Sequence, residues 1–409
     1  MTTHDPRQIV EMLRNHLASH DKRIIFIFGA GTSCAVNTAL EGKPYKPLIP
    51  AVAGLTKICR DTVEKKDAKF KTAWESLEKE LIEEKGERAK DNIEAFLSKI
   101  RMKCDAMSVH DVLLGLHRVN FETIEQIITS TIAANVQPEE VTIPKDYPHK
   151  YFARWVSRTQ RQYPVEIFTT NYDILVEKAL EEERVPVFDG FVGSHKPFFL
   201  AESLNRADLA PGKNWTRLWK IHGSVNWEIK NDDGQKRIVR DKPVKTGEMI
   251  LPSHYKYDES RKQPYVALLQ RLSAVLDHDD TLLVTIGYSF NDEHINNIIF
   301  ECAATRPRMH VVSLQYEELP PENDLIKQAL HRSNLMVLGP DKAIIGTKEG
   351  AWQLQEPIDE KTSDFMCIAF DGHKPKEGEE EGSAITGNVK LGDFNCFAKF
   401  LDSIVYLVK

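Results

Sequence analysis

The chain has 409 residues, of which 41% are hydrophobic and 28% are charged, and its formal net charge is −7 at pH 7. This composition is ordinary for a globular protein, and the length suits two or three domains. The net negative charge disfavours chain-wide electrostatic contact with nucleic acid, so we expect no direct nucleic-acid binding. No apolar run is long enough to span a membrane, and the first residues lack the pattern of a signal peptide. We therefore expect no membrane association and a cytoplasmic location.

Six short apolar runs rich in β-branched residues occur along the chain. They are apolar on both faces, which is typical of central strands in a parallel sheet. Helical patterns separate several of them, and the alternation predicts an α/β fold with a Rossmann-like, doubly wound parallel sheet. The runs are RIIFIF (23–28), VEIFTT (165–170), LWKIHG (218–223), TLLVTIGYS (281–289), MHVVSL (309–314) and NLMVLG (334–339).

A long segment without strand patterns, at residues 51–155, separates the first run from the second. It is rich in Lys, Glu, Ala and Leu, and its apolar residues recur at helical spacing. We therefore predict a large helical insertion in the sheet domain. The apolar stripes are Ile93, Phe96, Leu97 and Ile100, then Phe121, Ile124, Ile128 and Ile132.

The residues after 340 differ in pattern from those before. A polar, Gly-rich segment at 371–388 predicts a loop, and apolar stretches follow at 394–400 and 404–408. We predict one domain over residues 1–340 and a small C-terminal module over residues 341–409. The apolar stretches are too short to form a core alone, so they pack either on the same chain or on another copy.

The six cysteines are widely separated, and no CxxC pair occurs. A zinc ribbon or a redox dithiol needs such close pairs, so we expect reduced thiols and no metal site. The cysteines are Cys34, Cys59, Cys104, Cys302, Cys367 and Cys396.

The first motif, FGAGTS (28–33), follows the first predicted strand. Gly29 and Gly31 allow backbone N–H groups to approach a phosphate, and Thr32 and Ser33 add hydroxyl donors. The motif lacks the Lys of a nucleotide-triphosphate loop and is not GxGxxG. A tight turn between strand and helix explains the motif equally well.

The second motif, FTTNYD (168–173), ends the second predicted strand. Asn171 and Asp173 follow the carboxyl end of that strand, where ligands bind in open α/β sheets. Either side chain alone is explained more simply as an N-cap of the helix that follows.

The third motif, LWKIHGSVNW (218–227), places His222 after the third predicted strand and before a Gly-Ser turn. The ordinary pKa of histidine, about 6.5, suits a general base near neutral pH. In isolation, a histidine that caps a turn is the simpler interpretation.

The fourth motif, IGYSFNDEHI (286–295), follows the fourth predicted strand. Gly287 and Ser289 suit a second contact with a phosphate or a ribose. Asp292 and Glu293 fall in the first turn of a predicted helix, where acidic residues are ordinary partners of the helix dipole. Each motif alone is weak evidence, but all four follow predicted strands at the edge where ligands bind.

Together the motifs GAGTS, TTNYD, IHGSVNW and GYSFND resemble those of the sirtuin family in order and type, over about residues 20–340. The resemblance implies that residues 1–340 form an NAD-binding catalytic domain. It implies that His222 is the general base, that Asn171 orients the ribose and a water, and that Asp173 receives the carboxamide of NAD. It further implies contacts with the pyrophosphate and adenosine parts of NAD, made by Gly29, Ala30, Gly31, Thr32, Ser33, Gly287 and Ser289.

The departures from the family pattern favour one branch of it. Sirtuins that deacylate proteins carry a zinc module with two CxxC pairs, which this chain lacks. The chain is similar instead to the bacterial branch that hydrolyses NAD in anti-phage defence. That branch includes a subunit that assembles with a HerA-type ATPase, so the resemblance implies a homo-oligomer with such a partner. NAD is then the substrate, and the alternatives are a sensor that binds NAD or ADP-ribose without turnover and, less favoured, a protein deacylase.

Overall fold

The computed structural model describes residues 2–232, 235–241, 264–355, 363–372 and 385–406. Most of the predicted loop at 371–388 and the end of the apolar stretch at 404–408 lie outside these ranges. The strands are β1 (Thr3–His4), β2 (Arg23–Phe28), β3 (Val112–Leu113), β4 (Leu116–His117), β5 (Glu166–Thr169), β6 (Val187–Phe188), β7 (Phe191–Val192), β8 (Phe198–Phe199), β9 (Thr216–Lys220), β10 (Trp227–Asp232), β11 (Gln235–Arg240), β12 (Thr281–Ile286), β13 (His310–Leu314), β14 (Leu335–Leu338), β15 (Lys342–Ile345), β16 (Lys348–Leu354), β17 (Phe370–Gly372) and β18 (Ile385–Val389). The α-helices are α1 (Pro6–Ala18), α2 (Ala30–Cys34), α3 (Val52–Lys66), α4 (Ala68–Lys85), α5 (Ile93–Ala106), α6 (Arg118–Asn135), α7 (Pro148–Arg158), α8 (Leu175–Glu182), α9 (Tyr265–Leu276), α10 (Glu293–Thr305), α11 (Asp324–Ala329), α12 (Ser363–Ala369) and α13 (Phe394–Tyr406).

The central sheet is parallel over the order β14-β13-β12-β2-β5-β9-β6. All six predicted strands belong to it, as β2, β5, β9, β12, β13 and β14. Numbered by their order in the chain, these six lie in the sheet as 3-2-1-4-5-6, which is the Rossmann order. The predicted fold class is therefore confirmed, and β2 and β12 flank the point at which the strand order reverses.

The residues of β2 explain why this strand lies at the centre of the sheet. Phe26 and Phe28 face one apolar cluster, whereas Ile25 and Ile27 face the cluster on the opposite side. Successive side chains of a strand point to opposite faces, so a strand that is apolar throughout must be covered on both. Helices α1, α7, α8 and α13 contribute to the first cluster, and α9, α10 and α11 contribute to the second.

The segment between β2 and β5 is helical, as predicted. Helices α3 to α7 form it, together with the short hairpin of β3 and β4. Trp74 of α4 stacks on Phe96 of α5 with ring centroids 4.3 Å apart, and both side chains are buried. The insertion therefore has its own apolar packing, which is continuous with the cluster on one face of the sheet.

The residues after 340 continue the central sheet. Strands β15 and β16 add to its edge in antiparallel pairing. Helix α13 packs on α7, and the ring of Phe394 lies 5.2 Å from that of Phe28 and 4.9 Å from that of His149. The first apolar stretch of the tail thus covers a face of the sheet of the same chain, so a deletion of residues 341–409 would expose that face.

Two further features concern a second sheet and the apolar character of the helices. A small antiparallel sheet has the strand order β10-β11-β8-β7, and the sequence did not predict it. Within the described ranges, no helix combines the length and the apolar character that crossing a lipid bilayer requires.

Candidate active site

The four sequence motifs lie at one edge of the sheet. They follow the carboxyl ends of β2, β5, β9 and β12, which are adjacent in the order β9-β5-β2-β12. In open α/β sheets, ligands bind outside the carboxyl ends at the point where the strand order reverses. Here that point lies between the GAGTS loop after β2 and the GYS loop after β12.

The GAGTS and GYS loops contact each other through their backbones. The N–H of Gly29 donates to the carbonyl of Ile286, and the N–H of Gly31 donates to the carbonyl of Gly287, each at 3.1 Å. A Cβ at Gly31 would lie 2.6 Å from the Cα of Gly287, which itself has a φ of +62°. The glycines are therefore needed for contact between the loops. The N–H groups of Gly29 and Gly31 are used in this contact rather than presented to a ligand.

The hydroxyls of the GAGTS motif point inward. Thr32 and Ser33 are buried, and the hydroxyl of Thr32 donates to the carbonyl of Gly29 at 2.9 Å. The amide nitrogen of Asn171 lies 2.9 Å from the carbonyl oxygen of Gly29 and within 3.0 Å of both hydroxyl oxygens. Asn171 therefore joins the loop after β5 to the loop after β2.

Asp173 completes this buried set. One of its carboxylate oxygens accepts a hydrogen bond from the hydroxyl of Ser33 at 2.5 Å, and the other accepts from the N–H of Leu175 at 3.0 Å. The second bond fixes the start of α8, as the N-cap interpretation anticipates. We call Thr32, Ser33, Asn171 and Asp173 the inner layer of the site, because all four are buried.

The solvent-facing part of the site consists of different residues. Gly31 and Ser289 are exposed, and Ala30 and Gly287 are half-buried. We call these four residues the outer layer. The N–H and the carbonyl of Gly31 are both hydrogen-bonded within the protein, whereas the hydroxyl of Ser289 is open to a ligand. The outer layer is therefore where a phosphate-bearing ligand could approach. The helix that follows Gly29, α2, is only five residues long.

His222 pairs with an acidic residue from the fourth motif. Its Nε2 lies 3.0 Å from Oδ2 of Asp292, and Asp292 is 8% exposed. Oδ1 of Asp292 also accepts hydrogen bonds from the N–H groups of His294 and Ile295, at 3.0 and 3.4 Å, and so caps α10. An ionised carboxylate only accepts hydrogen bonds, so Nε2 carries the proton and Nδ1 of His222 is left as the basic nitrogen.

A buried lysine supports the loop that carries Asn171. The ammonium group of Lys220, in β9, donates to the carbonyls of Tyr172 and Asp173 and lies 2.9 Å from a carboxylate oxygen of Glu177. Burial raises the pKa of Glu177, and the charge of Lys220 opposes that shift. Lys220 thereby holds two successive carbonyl groups of the loop in place.

Among the described residues, the site shows neither a thiol with a lowered pKa nor a group of side chains that could hold a metal ion. Burial raises the pKa of the Cys34 thiol to about 11, and the nearby Asp173 carboxylate adds to the shift. This thiol is therefore protonated at neutral pH and is a poor nucleophile. In the part of the chain that the structure describes, no three His, Cys, Asp or Glu side chains are grouped to hold a metal ion. The expectation of a protein without zinc stays a prediction for metal analysis.

Sequence reasoning missed the roles of two residues at this site. Asp292 was interpreted as a partner of the helix dipole, whereas it also binds His222, which is distant in the sequence. The motifs assign no role to Lys220. A lysine inside the apolar run LWKI nevertheless indicates a buried ammonium group, and buried lysines need partners.

The second, third and fourth motifs lie within a region that matches a known family model. Residues 165–338 match the family model of the SIR2-like domain. The match supports the resemblance to the sirtuin family and an activity related to NAD. It includes Asn171, His222 and the GYS loop, but it covers less than half of the chain and leaves out the GAGTS loop. No curated protein matches the chain.

Proposed function

We propose that the protein hydrolyses NAD to ADP-ribose and nicotinamide. The observation that carries the proposal is the pair of His222 and Asp292 at the carboxyl edge of a Rossmann-like sheet, within a SIR2-like domain. A histidine whose second nitrogen is fixed by a carboxylate is oriented to accept a proton. General-base help of this kind typically contributes about 10²–10⁴-fold to a rate.

In the proposed reaction, His222 is the catalytic base. A water oxygen forms a bond to the ribose carbon that carries nicotinamide, and the bond from that carbon to the ring nitrogen breaks. The electron pair of the broken bond leaves with nicotinamide, and the proton of the water ends on Nδ1 of His222. Asp292 is a positioning residue, because it touches His222 and holds the imidazole in the tautomer with a basic Nδ1.

The outer and inner layers have separate tasks in this proposal. The side chain of Ser289 contacts the phosphates and the adenosine part of NAD, and Gly31 leaves room for them because it has no side chain. Among the described residues, the amide oxygen of Asn171 accepts no hydrogen bond from the protein, so it can accept one from the ribose or the attacking water. The amide nitrogen of Asn171 and the side chain of Asp173 are used within the protein. We therefore propose that Asp173 contributes to binding the carboxamide of NAD only by fixing the loop after β5.

Product analysis tests the proposed activity against its two rivals. The protein is incubated with NAD, with and without an acetyl-lysine peptide, and the products are separated by chromatography. A hydrolase yields nicotinamide and ADP-ribose in equal amounts in both mixtures. Nicotinamide released only with the peptide would indicate a deacylase, and binding of NAD without any product would indicate a sensor.

We further propose that this activity depletes NAD during anti-phage defence, in a homo-oligomer that binds a HerA-type ATPase. The support is the resemblance of the motifs to the bacterial branch that includes a subunit of this kind. Cells that carry the protein should lose NAD after phage infection, and cells with the His222→Ala variant should not. A protein that stays monomeric at micromolar concentration in light scattering would contradict the proposed oligomer.

A further inference from the structure

The hydroxyl of Tyr172 is a polar group without a partner next to the site. Tyr172 lies between Asn171 and Asp173, and its phenol oxygen is shielded from solvent with no hydrogen bond to the protein. Buried hydroxyls are normally paired, and a buried donor without a partner is destabilising. An exception beside a candidate active site is well explained by a ligand that supplies the partner.

The backbone of Tyr172 is held firmly. Its carbonyl oxygen accepts hydrogen bonds from the N–H of Val225 at 3.0 Å and from the side chains of Ser224 and Lys220, each at 3.3 Å. Ser224 and Val225 lie two and three residues after His222 in the chain. The backbone of Tyr172 is therefore fixed relative to the segment that carries His222, and a fixed backbone is one requirement for a residue that orients a substrate.

The charges around the phenol indicate what it can bind. Burial raises the pKa of Tyr172 well above its ordinary value, and the carboxylates of Glu94 and Asp292 and the phenol of Tyr265 raise it further, while Arg101 opposes them. The phenol is therefore neutral and acts as a hydrogen-bond donor. The two nearby carboxylates disfavour a phosphate at this point, so a neutral oxygen is the better acceptor.

We propose that the hydroxyl of Tyr172 donates a hydrogen bond to the ribose that carries nicotinamide, and that Tyr172 thereby selects for this sugar. The inference rests on the proposed function and adds a residue to which the sequence motifs assign no role. Glu94 belongs to α5, so the helical insertion then closes this part of the site. The ribose hydroxyls are neutral oxygens close to the bond that breaks.

Calorimetric titration of the full-length protein with ADP-ribose and with ADP tests the proposal, because ADP lacks the second ribose. The Tyr172→Phe variant removes only the hydroxyl. We expect its dissociation constant for ADP-ribose to rise about 5-fold to 10-fold, the ordinary worth of one hydrogen bond, and its affinity for ADP to stay unchanged. The variant should keep its fold and its melting temperature, since the hydroxyl has no partner in the protein.

The matched control is Tyr147→Phe. The hydroxyl of Tyr147 is also buried without a hydrogen-bond partner. Its neighbours Glu182 and Glu183 lie at the end of α8 that points away from the site. This variant deletes the same group in a similar environment, and it should bind ADP-ribose and ADP as the wild type does.

Each other outcome overturns the inference. Unchanged affinity of Tyr172→Phe for ADP-ribose would overturn it while leaving the proposed hydrolase intact. An equal loss of affinity for ADP and ADP-ribose would show that the hydroxyl does not contact the second ribose. If the wild type binds neither ADP-ribose nor NAD, then the inference and the proposed function both fail.

Discussion

Nε2 of His222 lies 3.0 Å from Oδ2 of Asp292, although 70 residues separate them in the chain. The same carboxylate caps α10 through its other oxygen. One side chain thus fixes the tautomer of the proposed base and the start of a helix that packs on the sheet. A substitution that keeps the cap and removes the charge can separate these two contributions.

The Asp292→Asn variant makes that separation. Asparagine is as good an N-cap as aspartate, so the cap of α10 should be kept, and a loss in the free energy of unfolding should come from the contact with His222 alone. The charge-assisted hydrogen bond to His222 is lost, and such bonds are worth about 1.5–3 kcal/mol. We expect kcat for NAD hydrolysis to fall about 10-fold to 100-fold with little change in KM, and the pH dependence of kcat to shift.

Glu293→Gln is the control for Asp292→Asn. Glu293 is exposed and lies in the same first helical turn, so this variant also removes one negative charge there. It should keep wild-type kinetics. Equal losses in the two variants would mean that the local charge matters and the contact with His222 does not.

A methyl group at Gly31 should disturb the contact between the two loops. The added Cβ would lie 2.6 Å from the Cα of Gly287, and backbone on both sides leaves little room to adjust. We expect Gly31→Ala to lower the free energy of unfolding by about 1–3 kcal/mol, which chemical denaturation measures. Gly212→Ala is the control, since no atom lies within 4 Å of a Cβ there. If both variants are as stable as the wild type, the two loops do not pack as described.

Acid should destabilise the protein through His149. Burial lowers the pKa of His149 to about 4, and both ring nitrogens lack hydrogen-bond partners. In the unfolded chain a histidine binds its proton near pH 6.5, so the unfolded state binds more protons between these two values. The stability is therefore fully present above about pH 6.5 and is lost as the pH falls toward 4.

Urea denaturation at two pH values measures this effect. From pH 7 to pH 5, His149 should account for a loss of about 2 kcal/mol in the free energy of unfolding. The His149→Leu variant should show a pH dependence smaller by that amount, whereas a leucine at the exposed His110 should leave the dependence unchanged. The account of His149 is wrong if His149→Leu and the wild type lose stability in parallel.

The strands and the fold class followed from local sequence, whereas the order of the strands and the contacts between the motifs did not. An apolar run such as 23–28 predicts a strand covered on both faces, because the apolar character of each side chain indicates that this side chain is buried. The sequence could place His222 at a strand end, but its pairing with Asp292 depends on the order of strands in the sheet. For the same reason Thr32 and Ser33 were predicted to face a ligand, although the side chains of Asn171 and Asp173 hold both hydroxyls inside.

The local sequence also could not predict which segment packs on this face of the sheet. The stretch at 394–400 was predicted to pack on the same chain or on another copy, and nothing in its own pattern could distinguish the two. In the structure, Phe394 and Phe397 pack against aromatic residues of β2. The pattern of a helix shows that one face is apolar, but the partner of that face is set by the rest of the fold.

The most direct test of the account is the rate of nicotinamide release from NAD by wild type and by His222→Ala. We predict turnover by the wild type and a loss of about 10²-fold or more in the variant, which should still fold cooperatively. The exposed His195→Ala is the control and should turn over NAD at the wild-type rate. Wild-type turnover by a folded His222→Ala protein would contradict the role of His222 and, with it, the proposed active site.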